Sequence, residues 1–219
     1  MQRAVLVVAL GVSLGACNGS SITGTPGSGN LATESRPVSG FTGVSVGGAG
    51  HLIVEQTGVE SLEITAEDNL LPLIRSEVVN GTLVLGFTPG TNVQSSHQVL
   101  YRLTVRDLVG LEASGASRVE IPNLTTSHLG TVLSGASELT AGGVAGNHAR
   151  VLSGASRCEA PDLQSRVVTA TLSGASYALV RVSDTLTTVA SGGSSLEYYG
   201  SPITVVDLSG GSTVRRVGP

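Results

Sequence analysis

The sequence predicts an all-β chain, a parallel β-helix-like solenoid with coils of about 19 residues. Two observations carry this. The tetrapeptide Ser-Gly-Ala-Ser recurs at Ser114, Ser134, Ser153 and Ser173 and continues as Ser-Gly-Gly-Ser at Ser191 and Ser209, at intervals of 20, 19, 20, 18 and 18 residues. A fixed period of this length marks a stack of structural repeats. Apolar residues also hold a constant phase to the tetrapeptide. Five places after its first Ser stand Val119, Leu139, Cys158, Ala178, Leu196 and Val214, and just before it stand Ala113, Leu133, Leu152, Leu172, Ala190 and Leu208. The neighbours of the first column are mixed, so the pattern alternates at period two, as in a strand with one buried face. Repetition in the same phase favours parallel stacking at about 4.8 Å per coil.

Within a coil the tetrapeptide is expected to form a tight corner. Gly115, Gly135, Gly154, Gly174, Gly192 and Gly210 are its structural residues, since glycine accepts positive φ. The small third residue, Ala175 for example, is expected to face inward and leave room for the next coil. The serines are expected to satisfy turn amides or to form hydroxyl ladders. Cys158 falls in the inward column and reads as a small buried hydrophobe.

The N-terminal half of the body, residues 38–110, is less regular than the repeat half, 111–219. Phe41–Val46, His51–Glu55, Leu62–Thr65, Val99–Val105 and Val109–Ala113 read as strands. Gly47–Gly50 looks like a worn copy of the corner. Asp68–Val79 suggests a short helix capped by Asp68, with Pro72 tolerated in its first turn. Asn80-Gly81 between Glu77–Val79 and Thr82–Leu85 predicts a hairpin, because both residues accept positive φ. Thr88–Ser96 reads as a polar loop.

Ahead of the body lie an address and a tether. Arg3 followed by the apolar run Ala4–Leu14 reads as a signal peptide over residues 1–16; a bilayer-spanning helix needs about 20 such residues. Leu14-Gly15-Ala16-Cys17 resembles the bacterial lipoprotein box. That resemblance implies cleavage before Cys17 and lipidation of it, so that the membrane is a partner and no disulfide to Cys158 forms. Asn18 after the cysteine implies the outer membrane if the cell is Gram-negative. Residues 17–37, rich in Gly, Ser, Thr and Pro, read as a flexible tether of roughly 25 Å.

Phe41-x-x-Val44-x-Val46, Asn69-Leu70-Leu71, Gly81-x-Leu83, the repeated Ser-Gly-Ala-Ser and Tyr199-Gly200-x-Pro202 together resemble the head GIN domain, a family of adhesin-type head domains. The resemblance covers about Val38–Val217 and implies a β-helix-like domain on secreted or lipid-anchored bacterial proteins. No translocator barrel is expected after the last repeat, and the family brings no catalytic residues across.

Composition limits the functions open to the chain. It has 219 residues, a net charge of −4 and no Lys, so nothing suggests nucleic acid as a partner. His51, His97, His128 and His148 lack metal-ligand spacing, although His128 and His148 are one repeat apart and read as a surface pair. Asp162, Asp184 and Asp207 fall at different offsets in the repeat and form no carboxylate row for paired-acid catalysis. Gly-x-Ser recurs with the repeat, without the strand–turn–helix setting of a serine nucleophile. No metal, cofactor or catalytic residue is assigned. Tyr101, Tyr198 and Tyr199 are aromatic candidates for glycan or protein contact. The expected function is non-enzymatic: a lipid-anchored envelope protein displaying the solenoid to bind an envelope protein or glycan. A periplasmic structural or signalling-accessory module and a polysaccharide-active enzyme are the alternatives.

Overall fold

A computed structural model describes residues 24–219. The signal peptide expected over residues 1–16 and the lipidation expected at Cys17 lie outside the described residues. In chain order the strands are β1 (Thr25–Pro26), β2 (Leu31–Arg36), β3 (Gly43–Val46), β4 (His51–Gln56), β5 (Ser61–Glu67), β6 (Ile74–Val79), β7 (Thr82–Phe87), β8 (Val93–Gln94), β9 (Leu100–Val105), β10 (Gly110–Ala113), β11 (Arg118–Leu133), β12 (Glu138–Leu152), β13 (Arg157–Leu172), β14 (Tyr177–Ala190), β15 (Ser195–Tyr199), β16 (Ile203–Leu208) and β17 (Thr213–Gly218).

The repeat half is a parallel β-solenoid. β11, β12, β13 and β14 pair in parallel, each one coil from the next, and β15 and β16 both stack on β14. Register slips bend the long strands, for example between Ile121 and Leu124 in β11 and between Ala160 and Gln164 in β13. Each coil therefore has three legs, exemplified by Glu138–Ala141, Gly143–Ala145 and Asn147–Leu152. The inward columns are continuous from coil to coil: Val119, Leu139, Cys158, Ala178 and Leu196 on the first leg, Ala113, Leu133, Leu152, Leu172 and Ala190 on the third, all buried. In the last coil Leu208 stands 43% exposed, because no further coil covers β16.

The corners determine how closely coils approach. Gly115, Gly135, Gly154, Gly174, Gly192 and Gly210 have φ between +67° and +77°. A Cβ built on Gly174 would lie 2.5 Å from the carbonyl oxygen of Gly154 in the coil below. That carbonyl accepts the Ala175 amide at 2.8 Å, and the other corners repeat the bond. Gly48, in the worn copy, does the same for Ala116 at 2.6 Å.

The third residue of the corner does not face inward. Ala116, Ala136, Ala155 and Ala175 are exposed, and the residue turned into the core is the second Ser. Ser117, Ser137, Ser156, Ser176 and Ser194 are buried, and each hydroxyl donates to the carbonyl of the first Ser of its own corner at 2.5–3.0 Å. The hydroxyl thus closes its own turn, and at Ser137, Ser156 and Ser176 it also reaches a carbonyl of the preceding coil, Ala113 at 3.1 Å in the first case.

The N-terminal half continues the same stack and then closes it. β3 and β7 extend the third-leg column below β10; β4 and β9 extend the first-leg column below β11. Antiparallel additions end both columns, β6 on β7 and β5 with β2 on β9. The β6–β7 hairpin turns through Asn80 (φ +50°) and Gly81 (φ +76°). The helix expected over Asp68–Val79 shrinks to one 3-10 turn, Leu71–Leu73, with Leu70 and not Asp68 at its N-cap. Ile74–Val79 pairs instead as β6, where its β-branched side chains fit a pleated surface. Residues 31–36, expected in a tether, are strand β2 against β5, and Pro26 pairs beside Gln94 in β1–β8. Any tether ends before Thr25.

Gly174→Ala should cost about 1–3 kcal/mol, through left-handed backbone and the Gly154 carbonyl. Ala175→Leu should shift the urea midpoint by less than about 0.5 kcal/mol equivalent, since the side chain leaves the surface. The reverse ranking would place the alanine inside.

Candidate binding surface

The legs present chemically different outer faces. On the first leg, charged residues form ladders across coils: His51 with Glu120 at 3.0 Å, Arg118 with Glu138 at 2.7 Å, and Arg215 with Glu197. The Arg157 guanidinium lies 4.3 Å over the Tyr177 ring, and the Tyr177 hydroxyl donates to Glu197 at 3.1 Å. The third leg is the opposite. Between Glu112 and Asp207 its outward column runs Val132, Val151, Thr171 and Val189, and the outward positions of these four coils carry no Arg, Asp or Glu. Three of the four column residues are exposed valines. The coils keep one register along this face.

Inside the third leg sits a polar cluster that composition concealed. Counting back from the first Ser of each corner, the inward column reads Thr131, Arg150, Ala170 and Thr188. Arg150 is fully enclosed. Its Nη2 donates to His148 Nδ1 at 2.5 Å, and Nη1 approaches Cys158 Sγ at 3.6 Å, while Nε has no partner. Guanidinium cannot accept, so Nδ1 of His148 must, and its Nε2–H is left to donate to Thr131 Oγ1 at 3.2 Å. Burial, then the Arg150 charge, holds His148 well below its usual range, so the ring is neutral. Burial pushes the Cys158 thiol up, opposed by Arg150. The cluster is closed to solvent and offers no reactive thiol.

A second polar knot organises the N-terminal end. Between β7 and β9 the corner is expanded into the loop 88–98. Glu67, enclosed at the end of β5, accepts hydroxyl bonds from Ser95 at 2.5 Å and Ser96 at 2.8 Å, and amide bonds from Gly29 at 2.9 Å and Ser96 at 3.2 Å. The Ser95 and Ser96 hydroxyls, followed by the amides, draw its pKa from the usual 4.5 to about 2. One carboxylate therefore ties the expanded corner to the segment before β2. His97 stands beside it, Nδ1 3.8 Å from Oε1. A shallow groove of about 300 Å3 separates this loop from the Gly47–Gly50 corner.

The residues singled out from sequence scatter. Asp162 is exposed on the second leg, Asp184 pairs with Arg166 at 3.0 Å, and Asp207 lies on the outer side of β16. His128 faces out while His148 faces in, because the register sets His128 opposite Asn147 and Leu129 opposite His148. They are not a surface pair. Tyr101 is buried, with its hydroxyl pKa pushed above the ordinary range by desolvation, so it is removed as a contact residue. Tyr199 is half-buried beneath Arg181, 4.8 Å from guanidinium to ring centre. Tyr177 stands where the two-residue alternation puts it, beside the inward column of the first leg. Arg150 is not signalled by its residue type, although the same alternation, counted from the corner, places it inside.

The chain matches the family described as "Putative auto-transporter adhesin, head GIN domain" over residues 40–202. It belongs to this family. Among solved structures, a "putative adhesin" from Bacteroides fragilis NCTC 9343 is 24% identical with a TM-score of 0.73, covering 89% of this chain and 100% of that one. A second "putative adhesin", from Parabacteroides distasonis ATCC 8503, is 17% identical with a TM-score of 0.56, again covering 89% and 100%. A "putative lipid binding protein" from the same strain is 17% identical with a TM-score of 0.54 over 89% and 100%. These likenesses show a shared fold for this head GIN protein. No curated protein matches it.

Glu67 stabilises the fold of this head GIN domain as a carboxylate. Its contribution is present above pH 4.5 and is lost as pH falls toward 2. Glu67→Gln should therefore lower the thermal midpoint at pH 7, and the gap to wild type should close as pH approaches 2. A gap that persists at pH 2 contradicts the assigned bonds.

Proposed function

We propose that the protein is a non-enzymatic adhesin-type protein of the bacterial cell envelope, held to the membrane by lipid on Cys17 and presenting the solenoid to a protein or glycan. The observation that carries the binding half is the outer face of the third leg. Four coils in unbroken register offer a flat surface without ionic side chains, rich in Thr and Val. A side of a solenoid that needed only solubility would carry charge, as the first leg does. Membership of the adhesin-head family supports the same reading. The anchoring half rests on Leu14-Gly15-Ala16-Cys17 and the apolar run before it.

Cys17→Ser should release the protein from the membrane fraction of its host cell. On intact wild-type cells, added protease should clip the head, as outward display requires. A Cys17→Ser protein that still fractionates with membranes refutes the lipid anchor. A head protected until the envelope is opened refutes surface display and favours the periplasmic module.

A further inference from the structure

The second leg carries a groove of about 590 Å3, lined by Val144, Gln164, Arg166, Arg181, Ser183 and Ser201. Its volume falls within the range of about 300–1,000 Å3 found for small-ligand sites. The groove follows from the repeat intervals. The coil that starts at Ser153 has 20 residues and the next has 18. The net loss falls on the second leg: pairing runs from Ala160–Val180 directly to Gln164–Arg181, which skips residues 161–163, and the step from Ser165–Val182 to Val167–Thr185 gives one residue back. The shorter coil is thus indented above the longer one. Pro161 has no partner in the next coil, and its carbonyl is taken by Arg181 Nε at 2.8 Å. Above, Gly200 (φ +107°) brings the following coil against Val182, closing the far wall.

Two guanidinium groups are held in this indentation by one nitrogen each. Arg166 gives Nε to Asp184 Oδ2 at 3.0 Å, and Arg181 gives Nε to Pro161 while stacking on Tyr199. Neither residue's terminal nitrogens bond within the described chain. Arg216 adds a third cation at the rim, through Nη2 to Ser201 Oγ at 2.7 Å. Of these three guanidiniums, Arg166 is the one Asp184 bonds, in a protein whose net charge is −4. The rest of the lining is neutral and suited to hydroxyls: the Gln164 amide and the Ser183 and Ser201 hydroxyls, over apolar Val144.

We propose that this groove binds an acidic glycan, a uronic-acid-containing oligosaccharide whose carboxylates sit on the Arg166 and Arg181 forks and whose ring hydroxyls meet Gln164, Ser183 and Ser201. Paired guanidinium nitrogens match a carboxylate in spacing and charge. A neutral glycan would leave these donors unpaired, and an anion without hydroxyls would leave the amide and serines unused. The inference rests on the binding role proposed above and names its ligand class.

The test is calorimetric titration of the full-length lipidated protein in detergent micelles with trigalacturonate, neutral galactotriose and inorganic phosphate. Trigalacturonate should bind, more weakly as salt rises, and galactotriose should not. Arg166→Gln should weaken binding at least tenfold with an unchanged thermal midpoint, as the side chain is 75% exposed. Asp184→Asn, which removes the competing carboxylate, should tighten it several-fold. Equal binding of the acidic and neutral sugars, no binding of trigalacturonate, displacement by phosphate at equal concentration, or an indifferent Arg166→Gln would each overturn the proposal. Fractionation of Cys17→Ser and protease exposure involve no trigalacturonate, so the envelope reading and the ligand assignment fail separately.

Discussion

The structure depends on one backbone contact repeated along one edge. At each corner a glycine carbonyl accepts the amide of the residue after the next corner's glycine, at 2.6–2.8 Å. Only a residue with positive φ and no Cβ permits that approach. Once the corners are stacked this closely, coils are parallel and equivalent residues lie over one another. The inward columns are then apolar or hydrogen-bonded at most levels, with Arg150 Nε and Thr188 Oγ1 of the third leg left without a partner among the described residues. The buried serines follow from the same constraint: a turn this tight leaves its first carbonyl facing inward, and the hydroxyl three residues on supplies the donor.

The period and the phase of the apolar columns were visible in the chain because a solenoid writes its geometry into the sequence once per coil. Positions that depart from the repeat were harder. Ala175 reads as inward because small residues suit close contacts, yet the contact belongs to Gly174, and the alanine only supplies its amide. His148 and Arg150 were masked by their polarity, although their phase to Ser153 places both inside. Asp68–Val79 shows helical spacing of leucines, but its β-branched end finds a strand partner across Asn80-Gly81, and pairing overrides the local pattern. Residues 31–36 have the composition of a linker and become strand β2 because β5 offers a free edge. Edge capture of that kind depends on tertiary structure, and no local signal reports it.

The surface separates what the core unites. Charged pairs occupy the first leg, a plane rich in Thr and Val the third, and an indentation with two tethered guanidiniums the second. The second leg absorbs the variation in coil length, since the corner cannot and the third leg keeps its register. Chemical individuality therefore collects there, while the regular faces suit extended contact. The two ends differ as well. Antiparallel strands close the N-terminal end, and Glu67 fastens the expanded corner to it. At the other end β16 keeps a free edge with Ile203 74% exposed.

The central claim is that exposed corners, and not the strands alone, hold the coils in register. Amide hydrogen exchange at Ala136, Ala155, Ala175 and Gly193 tests it directly. These residues lie at the surface, and their amides are bonded to the preceding corner. They should exchange as slowly as the amides of the inward residues Leu139, Cys158 and Ala178, and all should open together. Rapid exchange at the corners with the strand amides still protected would contradict it.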